Sequence, residues 1–134
     1  MKGHARNLMT DHVIRVEPDM TLADIGRVLV AGRHGGLPVV DDEERVIGFI
    51  TEADVLDAVL RGVPDGTMVR DLMSHPVLVV DEFSPTDEVM SLLRDGKVRH
   101  LPVVRQEKLV GIITPHDVLK YFVQRVLPIP SEDA

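Results

Sequence analysis

Two threonines each stand three positions ahead of an aspartate: Thr51 before Asp54, and Thr114 before Asp117. Each pair follows an apolar, strand-like run and opens a helix-like one. A helix that begins where a strand ends presents free backbone N–H groups, and such places hold polar or anionic ligands. A carboxylate at that rim repels a phosphate. Toward a nucleotide, its use is to accept hydrogen bonds from ribose hydroxyls while cations elsewhere hold the phosphates. Cations occur at corresponding turns in both halves: Arg33 and His34 in the first, Lys97, Arg99 and His100 in the second. Both features also have a plain reading. Thr-x-x-Asp is close to a capping box, worth about 1 kcal/mol to a helix, and the basic residues suit a solvated loop.

Other chemistries are not supported. Gly32, Gly35 and Gly36 lack the G-x-G-x-x-G order and the P-loop Lys-Ser/Thr. The six histidines show no metal-ligand spacing, so no metal site is expected, and the absence of cysteine removes thiolate nucleophiles and zinc-thiolate or iron–sulfur centres. Ser74, Ser84, Ser91 and Ser131 lie in no nucleophile elbow, and no catalytic residue is assigned. Three Phe, one Tyr and no Trp are too few for a base-stacking platform, and a net charge of −7 opposes nucleic acid and anionic membranes as partners. No apolar run reaches the length of a membrane span, and no signal-peptide stretch follows Met1. The expectation is a cytoplasmic protein.

The elements that must position the Thr-x-x-Asp steps occur twice. Leu8-Met9 aligns with Leu72-Met73, Val13 with Val77, Val16 with Val80, Gly32 with Gly96, and Leu37-Pro38-Val39-Val40 with Leu101-Pro102-Val103-Val104, all at an offset of 72 − 8 = 64. One residue is lost in the second hairpin turn. At an offset of 63, Gly48-Phe49-Ile50-Thr51 then falls on Gly111-Ile112-Ile113-Thr114, and Asp54-Val55-Leu56 on Asp117-Val118-Leu119. Register kept over nearly the whole chain marks a duplication.

Each copy opens with a short β-branched strand, Val13 to Val16 or Val77 to Val80. A helix follows. In the first copy Asp19 or Thr21 caps a stripe of Leu22, Ile25, Val28 and Leu29; in the second, Ser84 is the natural N-cap with Pro85 at N1. Gly32 and Gly96 sit where a left-handed C-cap favours glycine. Two apolar strands around a polar turn then read as a hairpin. A last helix carries Val55, Leu56, Val59 and Leu60 in one copy and Val118, Leu119, Phe122 and Val123 in the other.

The unit is therefore β-α-β-β-α, an α/β (α+β) arrangement. Its three-stranded sheet with two helices cannot close a core alone at about 55 residues, so two copies packed helix to helix are expected to form one module. The copies divide as 1–62 and 63–127, with an acidic flexible tail over 128–134.

The repeated hydrophobic-Pro-Val-Val strand, the Gly-x-Ile-Thr strand end and the Thr-x-x-Asp step resemble a tandem pair of CBS domains, the Bateman module, from about Leu8 to Phe122. The resemblance implies a pseudo-two-fold, stand-alone regulatory module rather than an enzyme. It implies two clefts for an adenosine-containing ligand such as AMP, ADP, ATP or S-adenosylmethionine, with Mg²⁺ undecided. It also implies a homodimer and a regulated partner protein, with a purely structural dimerisation module as the alternative. On that resemblance Asp54 and Asp117 take the ribose, with Thr51 and Thr114 beside them. The adenine slots are approximately Thr10 to Val13 with Gly36, and Ser74 to Val77 with His100. The Gly35-Gly36 pair leaves the first cleft fewer gripping side chains than Arg99-His100 leave the second, which is expected to bind more tightly.

Overall fold

The computed structural model describes residues 3–32, 34–96 and 98–127. Arg33, Lys97 and the tail over 128–134 lie outside the described residues. The chain runs α1 (Ala5–Leu8), α2 (Leu22–Gly32), β1 (Gly36–Val40), β2 (Val46–Thr51), α3 (Glu52–Leu60), a 3-10 turn (Val69–Asp71), β3 (Val80–Asp81), α4 (Thr86–Arg94), β4 (Leu101–Arg105), β5 (Lys108–Ile113), α5 (Pro115–Tyr121) and a π-helical turn (Phe122–Val126).

The two hairpins form as their sequence indicates. β1 and β2 pair antiparallel from Gly36–Thr51 to Val40–Val46, with a bulge between Val39 and Val40. β4 and β5 pair from Leu101–Ile113 to Arg105–Lys108, with the matching bulge between Val103 and Val104. Losing one residue from the second turn leaves a two-residue loop, Gln106-Glu107, with φ of 49° and 69°. Both left-handed values mark the loop type whose twist matches the flanking strands.

The opening strands are much shorter than expected. In the first copy only Val16 pairs, parallel to Val39, so the sheet proper has two strands. In the second copy only Val80 and Asp81 pair, along β4. The residues before them, Val13 to Arg15 and Val77 to Val79, form no ladder, and Val13, Ile14, Val77 and Leu78 wall the clefts described below.

Capping decides the helix starts. Thr21 rather than Asp19 caps α2: its hydroxyl accepts the Asp24 amide at 3.2 Å, and Asp24 accepts the Thr21 amide at 3.0 Å. Ser84 does not cap α4. Its hydroxyl turns back to accept the Asp81 amide at 3.1 Å, and Pro85 takes the cap position. Gly96 is left-handed at φ 70°, as a terminating glycine requires, whereas Gly32 is still helical.

Two cores form, and each borrows from the other repeat. Val16, Ile25, Val39, Ile50 and Ala58 gather around Val69, which the second repeat contributes from its 3-10 turn. Val80, Val89, Leu101, Val103 and Ile113 gather around Ala5 and Leu8, contributed by the first repeat through α1. Ala5 and Val69 are 64 apart, so the exchange obeys the internal symmetry. Each leader then runs along the other repeat's hairpin: Thr10 pairs with Ile112, and Ser74 with Phe49. Gly111 and Gly48 permit this approach, because a Cβ at either would overlap the side chain of Met9 or Met73.

Exchange of leaders therefore closes the cores, and the helix-to-helix packing between repeats includes that of α1 against α4 and α5. Leu56, Val59 and Leu60 on α3, and Leu119, Phe122 and Val123 at α5 and the turn after it, lie on the surface; only Val55 and Ala58 of α3 turn fully inward.

Candidate functional site: two clefts at the helix starts

The leader exchange also crosses the clefts. The start of the first repeat's leader passes not beside its own Thr51 and Asp54 but beside the second repeat's Thr114 and Asp117. A cavity of about 450 Å³ results, with Thr10, Val13, His34, Gly36, Thr114 and Asp117 in its wall together with His100. That is within the usual size of a small-molecule pocket. A second cavity of about 200 Å³ holds Ser74, Val77, Arg99 and His100 against Phe49. Thr51 and Asp54 are in the wall of neither. The expected grouping by copy is thus corrected: Gly35-Gly36 borders the roomier cleft, at Asp117.

Asp117 is held from both repeats. Its Oδ2 accepts the Thr114 backbone N–H at 2.8 Å and the Thr114 hydroxyl at 3.0 Å, while Oδ1 accepts the Thr10 hydroxyl at 2.6 Å. The side chain is largely buried, at 7% exposed. A carboxylate offers about four lone-pair sites. Three are taken and one is left, so capping and ligand acceptance are compatible at this residue.

Asp54 differs. It forms the same capping box, accepting the Thr51 amide at 2.9 Å while Thr51 accepts the Asp54 amide at 3.0 Å. No hydrogen bond among the described residues joins it to Ser74, the counterpart of Thr10. The two helix starts also differ. The Glu52 amide, first in α3, donates to the Gly35 carbonyl at 2.9 Å, extending the β1–β2 ladder by one bond. The residue matching Glu52 is Pro115, which has no N–H to donate, and Thr114 and Asp117 at the start of α5 line the larger cavity.

Four imidazoles line the larger cavity: His12, His34, His100 and His116. His100 is partly buried, and that burial, followed by the charge of Arg99, pushes its pKa below the usual histidine value. Gly35 also lines this cavity, as do Ile14, Leu37, Ile112 and His116, to which the sequence assigns no site role. His116 was accessible to sequence reasoning as the second residue of the α5 start. Ile112 was not, because its exposure depends on which leader covers β5. Among the described residues no cluster of His, Asp or Glu has metal-binding geometry, and no helix is long and apolar enough to cross a membrane.

Residues 5–61 and 69–124 each match the CBS domain. The chain belongs to the CBS-domain family. Tandem CBS domains are regulatory modules, not catalytic ones. The CBS pair is 36% identical over 118 residues to inosine-5'-monophosphate dehydrogenase of Methanocaldococcus jannaschii, covering 87% of this chain and 23% of that enzyme. The chain spans less than two thirds of the length of the curated relatives it matches first. Among solved structures, the CBS-pair protein CBSX2 from Arabidopsis thaliana superposes with a TM-score of 0.86 at 28% identity, covering 96% of this chain and all (100%) of that one. CBSX2 in complex with AMP gives a TM-score of 0.81 at 30% identity, covering 91% of this chain and 97% of that one.

Proposed function

We propose that this CBS pair is a regulatory sensor that binds an adenosine-containing ligand, an adenine nucleotide such as AMP, ADP or ATP or a relative such as S-adenosylmethionine, in the cleft at Asp117. The observation that carries this reading is a carboxylate fixed by Thr10 and Thr114 on the wall of a cavity. A carboxylate so held accepts a ribose hydroxyl at the site its own partners leave free. Val13, Ile14 and Leu37 offer an apolar slot for the base. The AMP complex of CBSX2 supports this ligand class. Arg99 and His100 serve the smaller cleft, while Thr51 and Asp54 act chiefly as a helix cap. Arg33 and Lys97 are the further candidates for phosphate contact.

Calorimetric titration of ligand-stripped protein with AMP, ADP, ATP and S-adenosylmethionine, with and without Mg²⁺, tests the reading. Asp117→Asn keeps an oxygen for the cap but removes the charge. It is expected to weaken binding at least about tenfold, the worth of one charge-assisted hydrogen bond, with the fold intact. Unchanged affinity in a folded Asp117→Asn protein sinks the ribose role.

A homodimer belongs to the same reading. The exposed apolar residues of α3 and of α5 with the turn after it occupy matching positions, Leu56 with Leu119 and Leu60 with Val123, and offer a surface for a second copy. If no adenosine ligand binds, this face supports the alternative, a structural dimerisation module. A cytoplasmic setting, where such metabolites are made and consumed, and a regulated partner protein complete the proposal.

A further inference from the structure

The two cavities share one wall. His100 faces Thr10, Gly36 and Asp117 across the larger cavity, and Ser74 and Val77 across the smaller. Its ring lies on Phe49 with centroids 5.0 Å apart and planes inclined by 35°. The internal symmetry puts residue 100 opposite residue 36, and residue 36 is glycine. A symmetric pair would therefore place two side chains at this partition, and this chain places one. The vacated space is in use: a Cβ at Gly35 would sit 3.7 Å from His100 Nε2, and a Cβ at Gly36 would overlap the Phe49 ring.

Resting on the ligand reading above, we infer that His100 couples the two clefts negatively, so that the chain takes one adenosine-type ligand tightly and a second only weakly. A planar base entering the larger cleft stacks on or displaces the imidazole. Among the described residues His100 is the one that borders both cavities, so a shift of its ring for one occupant alters the space left to the other. Packed interiors transmit such displacements rather than absorbing them. The coupling is reciprocal, since each occupant must change the other's affinity by one factor. Its larger volume and the Asp117 carboxylate on its wall make the larger cleft the first to fill.

Calorimetric titration of the full chain with AMP tests the inference. In the unmodified protein the second binding event is expected at least about fivefold weaker than the smaller cleft binds alone, the lower end of ordinary coupling. The affinity of the smaller cleft comes from a two-site fit to Asp117→Asn, in which the larger cleft is weakened at least about tenfold. His100→Gly, which restores the residue found at the matching position, is expected to remove the difference; His100→Ala serves if the glycine variant does not fold. The inference is overturned if wild-type protein binds two AMP molecules independently, or if the fivefold gap survives both substitutions. It is also overturned if the substitutions expose no second event where the wild type shows one. Absence of AMP binding in every variant, wild type included, overturns the ligand reading, and with it the coupling.

Discussion

The Thr10 hydroxyl donates to Asp117 Oδ1 at 2.6 Å, joining residues 107 apart in the chain and belonging to different repeats. The bond exists because each leader crosses to the other repeat, and it orients the carboxylate proposed to receive the ligand. Thr10→Val removes the hydroxyl at nearly constant volume and leaves a largely buried acceptor short of a donor. The expected loss is about 1–3 kcal/mol of stability, read by urea unfolding, with a several-fold loss of AMP affinity. A Thr10→Ser protein, which keeps the hydroxyl, is expected to retain most of both. Equal losses in the two variants would show that the methyl group, not the bond, matters.

Acidification has a defined sign at His100. Its folded-state pKa is depressed by burial first and by Arg99 second. The folded protein therefore binds fewer protons than the unfolded chain once pH drops below the unfolded value, about 6.5. Stability from keeping this ring neutral is present above that pH and is lost as pH falls through the folded pKa. The difference in unfolding free energy between wild type and His100→Gln is expected to shrink from pH 7.5 toward pH 5. A constant difference across that range contradicts the assignment.

Glu82 is buried at 2% exposed, and its carboxylate is met by the Arg105 guanidinium. The arginine end is open to solvent, so the pair itself adds little, but removing the cation strands a buried carboxylate. Arg105→Ala is expected to cost about 1–3 kcal/mol, and Arg105→Lys appreciably less. Chemical denaturation separates the two; a neutral Arg105→Ala would mean that water already serves Glu82.

Gln106 and Glu107 hold left-handed backbone without being Asn or Gly. Replacing the pair with Asn-Gly, the sequence that this loop favours, is expected to raise the midpoint of thermal unfolding, the gain being about 1 kcal/mol or more per relieved residue. No gain would imply that the unfolded chain is changed as much as the folded one.

Leu56 and Leu119 are 56% and 59% exposed at matching positions on α3 and α5. A charge on either face is incompatible with burial against a second copy. Sedimentation velocity is expected to show a dimer for the unmodified protein and a monomer for the Leu56→Asp, Leu119→Asp double variant. A monomeric wild type would rule out this interface.

Much of this molecule was legible before any coordinates. The 64-residue offset gave the duplication, β-branched runs around polar turns gave both hairpins, and Thr-x-x-Asp gave both capping boxes, because each depends on neighbours close in the chain. Ser84 was misread for a reason of the same scale: Asp81 offered its hydroxyl a competing amide three residues away.

The sequence by itself determined that two equivalent units exist and that each delivers a carboxylate to a helix start. Only the tertiary structure decided which leader lies beside which carboxylate, and hence that Thr10 and Gly36 join Asp117 rather than Asp54. A repeat read alone is equally consistent with a leader folded onto its own sheet or onto its neighbour's. Burial of Ala5, Leu8 and Val69 in the opposite core settles the choice, and such burial depends on residues more than sixty positions away. The difference between the helix starts, by contrast, is local: Pro115 and Glu52 occupy equivalent positions, and the Glu52 amide meets the Gly35 carbonyl within its own repeat while Pro115 has no amide to offer.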